Sequence, residues 1–331
     1  MYEKIQQALE SAQTIVIVQA ENPDGDSLGS AIALEAILED IGKAVSMHCS
    51  VEMPKYLRYI DGWDRVSIDF NTKADMAIIV DTVSDVLLSK TLAVPEIKHF
   101  FETHPVFALD HHGSVTSSLP FEHELVIAPE AVATGELIID IATKLGWHIS
   151  KDAAEALYAS IMADSLGLTT ANTTASSFRA VATLVEQGAV PAEIEAKRRE
   201  FMKKSAEILA YKGRLLERIE YYLDGALALV HIPWEEIAEY SDQYNPSVLV
   251  LDEMRLVYDV KLAVAIKTYP DGKLTGKLRA NPEAKIADVV AAYFGGGGHG
   301  YSAGFRVYES YEHIKKELVE ATDKALGEIN R

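Results

Sequence analysis

The sequence predicts an α/β protein with three parts. An N-terminal, mainly parallel sheet has helices on both faces, and a helical linker joins it to a smaller C-terminal α/β domain. Three observations predict this: strand and helix patterns alternate through the first half, a highly charged helical stretch follows, and a hairpin signal comes later. Since 331 residues exceed what one core usually organises, two domains are expected, at 1–190 and 223–331, with the linker at 191–222.

The first half contains β-branched strands separated by helices with periodic apolar residues. Parallel strands need long crossover connections, so the alternation predicts a parallel sheet. Ligands of such sheets bind beyond the carboxyl ends of the strands. The predicted strands are 14–20, 44–51, 76–82 and 105–112, and the predicted helices are 27–42, 133–146 and 151–165.

Residues 175–220 have a helical pattern nearly throughout, and Pro191 separates two stretches. The pattern changes after residue 226, where strands return and the turn Pro270-Asp271-Gly272 predicts a hairpin. The predicted C-terminal elements are a strand at 226–232, the hairpin 260–280, a helix at 285–294, a glycine loop, a strand at 303–308 and a helix at 311–329.

Composition narrows the class of protein. The formal charge of −19 disfavours binding of long nucleic acid, because that affinity comes largely from neutralised phosphates. A single cysteine, Cys49, excludes an internal disulfide framework and a cysteine-rich zinc site. The sequence has no run of about 18 apolar residues, so no membrane span is expected. The N-terminus resembles an amphipathic helix, not a signal peptide, and we expect a cytoplasmic protein.

Acids and histidines follow several predicted strands and helices. In "NPDGDSLGS" (22–30) two acids come just after a strand; an N-cap role for Asp26 or Ser27 would account for only one of them. An acid at the end of a helix opposes the helix dipole, so another group should hold it. The candidates are Asp24, Asp26, Asp81, the triplet Asp110-His111-His112, and Asp164.

Five carboxylates and two imidazoles can converge on one rim of the sheet. Such crowding is unfavourable unless cations neutralise the acids. Oxygen-rich ligation with imidazole and no thiolate suits Mn²⁺ or Mg²⁺ better than structural zinc. Two such ions sharing one aspartate would form a site for phosphoryl chemistry with activated water as the nucleophile.

With these motifs the chain resembles the DHH family of phosphoesterases, named for the triplet kept here as Asp110-His111-His112. The resemblance extends over nearly the whole chain. It is strongest to the branch that contains nanoRNases and pAp phosphatases, two-domain enzymes acting on very short nucleotides. The motifs that carry it are "NPDGDSLGS", "IIVDT", "LDHHGS", "ATGEL", "IMADSLGLTTANT", "KLRAN" and "FGGGGHGYSAGF".

The resemblance implies a role for each matching residue. Asp24 would bind the first metal, Asp26 the second, and Asp81 would bridge them. His111 and Asp164 would complete the second site. His112 would face the scissile phosphate, and Asp110 would support the histidines.

One position departs from the family pattern. The family places a histidine ligand of the first metal three residues before the motif's proline, where this chain has Ala20. Gln19, Glu21 or Asn22 could supply an oxygen instead, with Glu21 favoured by its charge. Three outcomes are open: a rebuilt site, a slower enzyme or one with a single tightly bound metal, and a nucleotide-binding protein without turnover.

The C-terminal motif "FGGGGHGYSAGF" (294–305) has four consecutive glycines, which suit close approach of the main chain to an anion. A flexible connection is the alternative explanation. Arg279 can bind a phosphate in a bidentate manner. By resemblance, Arg279, Gly298 and His299 would hold the distal part of the substrate, and the two domains would close over a short ligand.

The sequence thus predicts a metal-dependent phosphodiesterase or phosphatase with two ions, Mn²⁺ or Mg²⁺, acting on short oligonucleotides, linear dinucleotides or pAp-like nucleotides. The alternatives are a nucleotide sensor impaired at Ala20 and an inorganic pyrophosphatase-like enzyme. The glycine loop argues against the second alternative. A homodimer is compatible with the sequence, and neither long nucleic acid nor a membrane is expected as a partner.

Overall fold

The computed structural model describes residues 2–112 and 116–329. It divides into two compact units, Met1–Lys203 and Lys204–Arg331, each with its own sheet and core. The α/β class predicted from the sequence is confirmed, including helices on both faces of a parallel first sheet. Among the described residues, no helix combines the length and apolar character that crossing a bilayer requires.

The first unit contains eight α-helices and six strands among its described residues. The helices are α1 Glu3–Ser11, α2 Gly25–Asp40, α3 Ser89–Leu92, α4 Pro95–Thr103, α5 Thr134–Leu145, α6 Lys151–Asp164, α7 Ala175–Glu186 and α8 Pro191–Phe201. The strands are β1 Thr14–Val18, β2 Ala44–His48, β3 Val66–Ser67, β4 Met76–Val80, β5 Val106–Asp110 and β6 Glu124–Ile127.

All strands of the first sheet are parallel, in the order β3-β2-β1-β4-β5-β6. Alternate strand residues enter two cores. Ile15 and Ile17 pack with α2, α5 and α6 on one face, while Val16 and Val18 pack with Phe100 of α4 on the other. β3, β6 and α4 were not predicted from the sequence. The carboxyl ends of β1, β4 and β5 lie side by side. Residues that follow these three strands therefore meet at the same edge of the sheet, where ligands of parallel sheets bind.

Small residues bring α2 against α6 and α5. A Cβ atom on Gly29 would lie 2.5 Å from the carbonyl oxygen of Ala156, and one on Gly25 would overlap Ala163. A Cβ on Gly135 of α5 would overlap the Ser160 hydroxyl. These contacts leave no room for larger side chains, so the N-terminal ends of α2 and α5 meet the C-terminal half of α6.

The second unit has a mixed sheet in the order β11-β12-β10-β9-β8-β7, in which only β8 and β9 pair in parallel. The predicted linker 191–222 contains α8 of the first unit and α9 and β7 of the second. Ser205 caps α9 by accepting a hydrogen bond from the N–H of Ile208, which separates α8 from α9. The elements are α9 Ala206–Glu217, β7 Glu220–Tyr222, β8 Leu227–Ile232, α10 Trp234–Tyr240, α11 Leu251–Arg255, β9 Leu262–Thr268, β10 Leu274–Ala280, α12 Ala287–Tyr293, β11 Gly297–His299, β12 Ser302–Val307 and α13 Tyr311–Ile329.

Candidate metal centre

The carboxyl edge of the first sheet gathers most of the predicted ligands. Asp81 follows β4, and His111 follows β5. Asp26 lies in the first turn of α2, and Asp164 is the last residue of α6. Two sets of described residues hold possible ligand atoms within 4.8 Å of one another: Asp26, His111 and Asp164, and Asp81, His111 and His112. Residues far apart in the sequence therefore converge around His111.

His111 is buried, and its two ring nitrogens have different surroundings. Nδ1 lies 3.2 Å from the carbonyl oxygen of Ala131, which can only accept, so we assign the proton to Nδ1 and the lone pair to Nε2. Nε2 has no hydrogen-bond partner among the described residues. It lies 3.3 Å from Asp164 Oδ2, 3.6 Å from Asp26 Oδ2 and 3.7 Å from Asp81 Oδ1. A buried lone pair facing carboxylates fits a cation between them, and anchoring through the other nitrogen is typical of metal-binding histidines.

Asp26 is almost completely buried, with 1% of its surface exposed, and is held by hydrogen bonds from three helices. Its Oδ1 accepts from the hydroxyl of Ser30 at 3.0 Å and from that of Ser160 at 2.6 Å. The backbone N–H of Thr134 donates to Oδ2 at 2.7 Å, and that of Gly135 to Oδ1 at 3.3 Å. These donors fix the orientation of the Asp26 carboxylate toward His111.

Asp81 has a left-handed backbone, with φ of 63°. Aspartate is one of the few residues that tolerate this region, which ends β4 with a turn. The Thr134 hydroxyl donates to Asp81 Oδ1 at 3.1 Å. Burial, followed by the charges of Asp26 and Asp24, raises the pKa of Asp81 well above its usual range. A nearby cation would reverse this penalty.

Asp164 is about one-third exposed, at 36% of its side chain, and ends α6. Burial and then the charge of Asp26 raise its pKa to about 6, although His111 acts in the opposite direction. The helix dipole disfavours a negative charge here. An acid at the end of a helix was expected to have a partner outside the helix, and the Asp164 carboxylate lies beside the His111 ring.

Asp110 and His112 form a pair beside the ligand cluster. Asp110 is buried, and its Oδ1 accepts from the backbone N–H of His112 at 3.1 Å and from its Nδ1 at 2.6 Å. The His112 side chain is half-exposed. The hydrogen bond to Asp110 is the main cause that raises the pKa of His112. Asp110 therefore orients an imidazole that favours its protonated form and leaves Nε2 available to an anion.

Asp24 caps α2. Its Oδ1 accepts from the N–H groups of Asp26 and Ser27 at 3.0 and 2.9 Å, and the Ser27 hydroxyl accepts from the Asp24 N–H. The N-cap is therefore Asp24, not Asp26 or Ser27. No hydrogen bond to Asp24 Oδ2 occurs among the described residues, so this oxygen stays available as a ligand. Asp24 lies outside the two sets of converging ligand atoms, although its charge contributes to the raised pKa of Asp81.

Ala20 and Gln19 are buried, and Glu21, the favoured substitute ligand, has hydrogen-bond partners of its own. The Glu21 carboxylate accepts from the Ser89 hydroxyl at 2.8 Å and from the Lys90 N–H, so it is engaged at α3. Gln19 is fully buried, and neither polar atom of its side chain has a hydrogen-bond partner among the described residues. An unpaired buried amide is costly, which distinguishes Gln19 from its neighbours.

The predicted substrate-binding residues of the second unit lie on β10 and β11. Arg279 is half-buried, and its Nη1 donates to the Ser302 hydroxyl and to the carbonyl oxygen of Leu278. Gly298 has φ of 145°, and a Cβ there would lie 2.5 Å from the carbonyl oxygen of Ser302. Close packing of β11 on β12 thus explains this glycine without a ligand. The His299 side chain lies outside the described residues.

The groups that hold the ligands in place were not predicted from the sequence. These are the hydroxyls of Ser30, Thr134 and Ser160, the N–H groups that begin α5, and the Ala131 carbonyl oxygen. The motif "ATGEL" contains Thr134 and Gly135, so it offered a signal. Ser160 lies in the middle of an otherwise ordinary helical pattern and gave none.

Comparisons with known proteins identify a family match and relatives of this chain. Residues 14–161 match the family described as DHH family, N-terminal domain. The chain is 26% identical over 318 residues to the bifunctional oligoribonuclease and PAP phosphatase NrnA of Thermus thermophilus, covering 94% of this chain and 91% of that protein. It is 21% identical over 312 residues to the probable bifunctional oligoribonuclease and PAP phosphatase NrnA of Streptococcus mutans, covering 94% of this chain and 95% of that one.

A solved structure has the same fold over the whole chain. It is an exopolyphosphatase-related protein from Bacteroides fragilis, with a TM-score of 0.87, 22% identity, and coverage of 99% of this chain and 97% of that one. This structure confirms the fold. The family match over residues 14–161 and the relatives confirm the DHH family and the phosphoesterase class predicted from the motifs.

Proposed function

The chain belongs to the DHH family of phosphoesterases, and from this premise we propose that it hydrolyses phosphoester bonds of short nucleotides with the help of bound divalent cations. The substrates are short oligonucleotides, linear dinucleotides or pAp-like nucleotides. The observation that carries the proposal is His111, whose buried Nε2 faces three carboxylates without a hydrogen-bond partner among the described residues. The names of the relatives, oligoribonuclease and PAP phosphatase, support this substrate class.

Asp24 would hold the first metal and Asp26 the second, Asp81 would contribute to both, and His111 and Asp164 would complete the second. The donor set is rich in oxygen and contains one imidazole, which suits Mn²⁺, with Mg²⁺ as the alternative ion. When bound, such ions neutralise the carboxylates, polarise the phosphoryl group and make water a better nucleophile.

The remaining residues orient ligands and substrate. His112 presents Nε2 to a non-bridging oxygen of the scissile phosphate and donates a hydrogen bond to it. Asp110 holds the ring through Nδ1 at 2.6 Å and favours the protonated form. Thr134 holds Asp81 through its hydroxyl and Asp26 through its N–H, so one residue fixes two ligands.

The first metal site lacks the family's histidine. The pairing of Val18 with Ile79 places residue 20 near residue 81 if the register continues past the strands. Ala20 offers no ligand there, and Glu21 is engaged elsewhere. Of the two other residues that could supply an oxygen to the first metal, Gln19 and Asn22, Gln19 is buried and its amide oxygen has no hydrogen-bond partner among the described residues. We therefore propose a first site of weaker affinity, occupied only at higher metal concentration.

The test is mononucleotide release from pApA and phosphate release from pAp, with and without Mn²⁺. We expect metal-dependent turnover that Asp81→Asn abolishes, since asparagine tolerates the left-handed backbone but does not replace the charge. An Asp85→Asn variant, in the loop after β4, is the matched control and should keep full activity. Nucleotide binding without product would support the sensor, and cleavage of pyrophosphate alone would support the pyrophosphatase-like alternative.

Two finer parts of the proposal need separate measurements. We propose a cytoplasmic homodimer, in line with the sequence analysis. Light scattering on the purified chain tests the assembly, and a monomeric mass at micromolar concentration would contradict it. Cell fractionation tests the location.

A further inference from the structure

One turn of the first unit, residues 131–134, contacts three of the proposed metal ligands and is called the ligand turn below. These ligands are Asp26, Asp81 and His111. The Ala131 carbonyl oxygen lies 3.2 Å from Nδ1 of the histidine, and the N–H and hydroxyl of Thr134 donate to the two aspartates at 2.7 and 3.1 Å. A displacement of the ligand turn would therefore disturb three ligands at once.

The ligand turn leads into α5 without the usual support of a helix start. Its N-cap residue is Ala133, which offers no side-chain acceptor. The first two N–H groups of the helix, from Thr134 and Gly135, donate to Asp26. The N–H of Val132, a fully buried residue, needs an acceptor from elsewhere, because an unpaired buried N–H is costly.

Glu136 supplies this acceptor. Its Oε2 accepts hydrogen bonds from the N–H of Val132 and from the hydroxyl of Ser177, both at 3.1 Å. The glutamate is 9% exposed, and both donors are neutral groups. A buried carboxylate is costly unless hydrogen bonds satisfy it, and these two bonds account for an acid at this position.

Ser177 lies in the first turn of α7 and is held in place itself. Its Oγ accepts from the N–H of Thr174 at 3.3 Å, and the Thr174 hydroxyl oxygen accepts from the N–H of Ser176 at 3.1 Å, which together form a capping box. Thr174 ends the loop that follows Asp164. The Glu136 carboxylate therefore joins the ligand turn to the start of α7 and to this loop.

We propose that Glu136 is a positioning residue of the metal centre. It fixes the ligand turn against α7 and so keeps Asp26, Asp81 and His111 in place for the ions. The proposal rests on the proposed function, because the metal centre belongs to it. It also gives a role to the acid of the motif "ATGEL" (133–137), which neither the ligand assignment nor the contacts of Thr134 explain.

The test titrates Mn²⁺ into the metal-free full chain by calorimetry. Glu136→Ala should lower the Mn²⁺ affinity about 10-fold or more, because groups that orient metal ligands typically contribute about 10- to 100-fold. Glu136→Gln should stay within about 3-fold of the wild type, because its amide oxygen can accept both hydrogen bonds. Ser177→Ala removes one of the two bonds and should lower the affinity about 3-fold or more.

The matched control is Ile97→Ala. Ile97 is buried on α4 and belongs to the core on the other face of the sheet. This variant should unfold at lower urea concentration than the wild type, because it leaves a cavity, and should keep the wild-type Mn²⁺ affinity. The comparison separates a loss of stability from a loss of ligand orientation.

A second readout needs no metal. The Ala131 carbonyl oxygen selects the Nδ1–H tautomer of His111, which the ¹⁵N chemical shifts of the ring report in EDTA. Glu136→Ala should release the ligand turn and give a mixture of the two tautomers, whereas Glu136→Gln and Ile97→Ala should keep the wild-type shifts.

Kinetics on pApA give a third readout. In Glu136→Ala the Mn²⁺ concentration for half-maximal activity should rise about 10-fold or more, while kcat at saturating Mn²⁺ should stay within about 3-fold of the wild type, because Glu136 does not touch the reacting atoms.

Two results would overturn the inference: an Mn²⁺ affinity of folded Glu136→Ala within about 3-fold of the wild type, or an equal loss in Glu136→Gln or Ile97→Ala. If Glu136→Ala does not fold, an unchanged affinity in Ser177→Ala decides against it. Failure of the proposed function is distinct, because it would be a wild type that binds Mn²⁺ and keeps the His111 tautomer but does not turn over pApA or pAp.

Discussion

Replacing Asp164 by asparagine removes one negative charge from the carboxylates around His111 and nearly preserves the side chain's shape. Without metal, the wild-type protein keeps this charge in an unfavourable place, because burial and Asp26 raise the pKa of Asp164 to about 6. We therefore expect Asp164→Asn to stabilise the metal-free protein at pH 7.5 and to weaken the stabilisation that Mn²⁺ provides.

The magnitude follows from the shifted pKa. One pKa unit corresponds to about 1.4 kcal/mol, so a rise from 3.8 to about 6 corresponds to about 3 kcal/mol at pH 7.5. The Asp164 side chain is 36% exposed, and solvent screening reduces this value. We expect the free energy of unfolding of the metal-free variant to exceed that of the wild type by roughly 1–2 kcal/mol.

The pH dependence has a definite sign. Because the folded-state pKa is raised, the folded protein binds this proton more tightly than the unfolded chain does. The stabilisation is fully present below pH 3.8 and is lost as the pH rises through about 6. Metal-free wild type should thus lose stability between these values, and the variant should show a flatter profile there.

Urea unfolding in EDTA and in saturating Mn²⁺, at pH 5 and pH 7.5, measures both effects. Asp40→Asn is the matched control, since Asp40 also ends a helix but is exposed on α2. Both variants remove an unfavourable interaction between a carboxylate and the helix dipole. The difference between their unfolding free energies therefore measures the effect of the ligand cluster alone. A metal-free Asp164→Asn that is no more stable than Asp40→Asn, or equal stabilisation of variant and wild type by Mn²⁺, would refute the reasoning.

Three further predictions address the site and its frame. His111→Ala should lower the Mn²⁺ affinity measured by calorimetry at least about 100-fold, because a direct metal ligand contributes no less than the groups that support it. The control His148→Ala, at an exposed histidine, should leave this affinity unchanged. A loss of affinity below about 3-fold in His111→Ala would contradict the assignment. Ser160→Ala should reduce the free energy of unfolding by about 1–3 kcal/mol in urea melts, because it removes the 2.6 Å hydrogen bond to buried Asp26, with exposed Ser11→Ala unchanged. Gly29→Ala should destabilise by about 1–3 kcal/mol, since its Cβ would lie 2.5 Å from the Ala156 oxygen, whereas Gly213→Ala, which meets nothing within 4 Å, should be neutral or stabilising in the same melt.

The parallel sheet was predictable because its strands are continuous apolar runs between helices with glycine stops. β1, β4 and β5 lie inside the segments assigned to strands, and α5 and α6 match their predicted helices within a residue. β6 was missed because Glu124–Ile127 is short and half-exposed at the sheet edge. The break between α8 and α9 was missed because a run of charged residues fits a continuous helix.

The ligand residues were predictable because acids and histidines after strands stand out against an apolar pattern. Their supports were not, because a serine such as Ser160 gains its role only when α6 reaches Asp26 across 134 positions of sequence. Glu21 was favoured by charge as a substitute ligand, but the Ser89 hydroxyl and the Lys90 N–H donate hydrogen bonds to its carboxylate, a contact between distant parts of the sequence that spacing alone does not predict.

The glycine contacts between α2 and α6 also bear on how quickly the centre can fill. Helices whose backbones are in direct contact cannot slide or rotate against each other. Asp26 and its serine partners therefore keep the same relative positions with and without a bound ion. An ion that enters the site meets ligand atoms that are already oriented. The rate of metal binding is then limited by dehydration of the ion instead of by rearrangement of the chain.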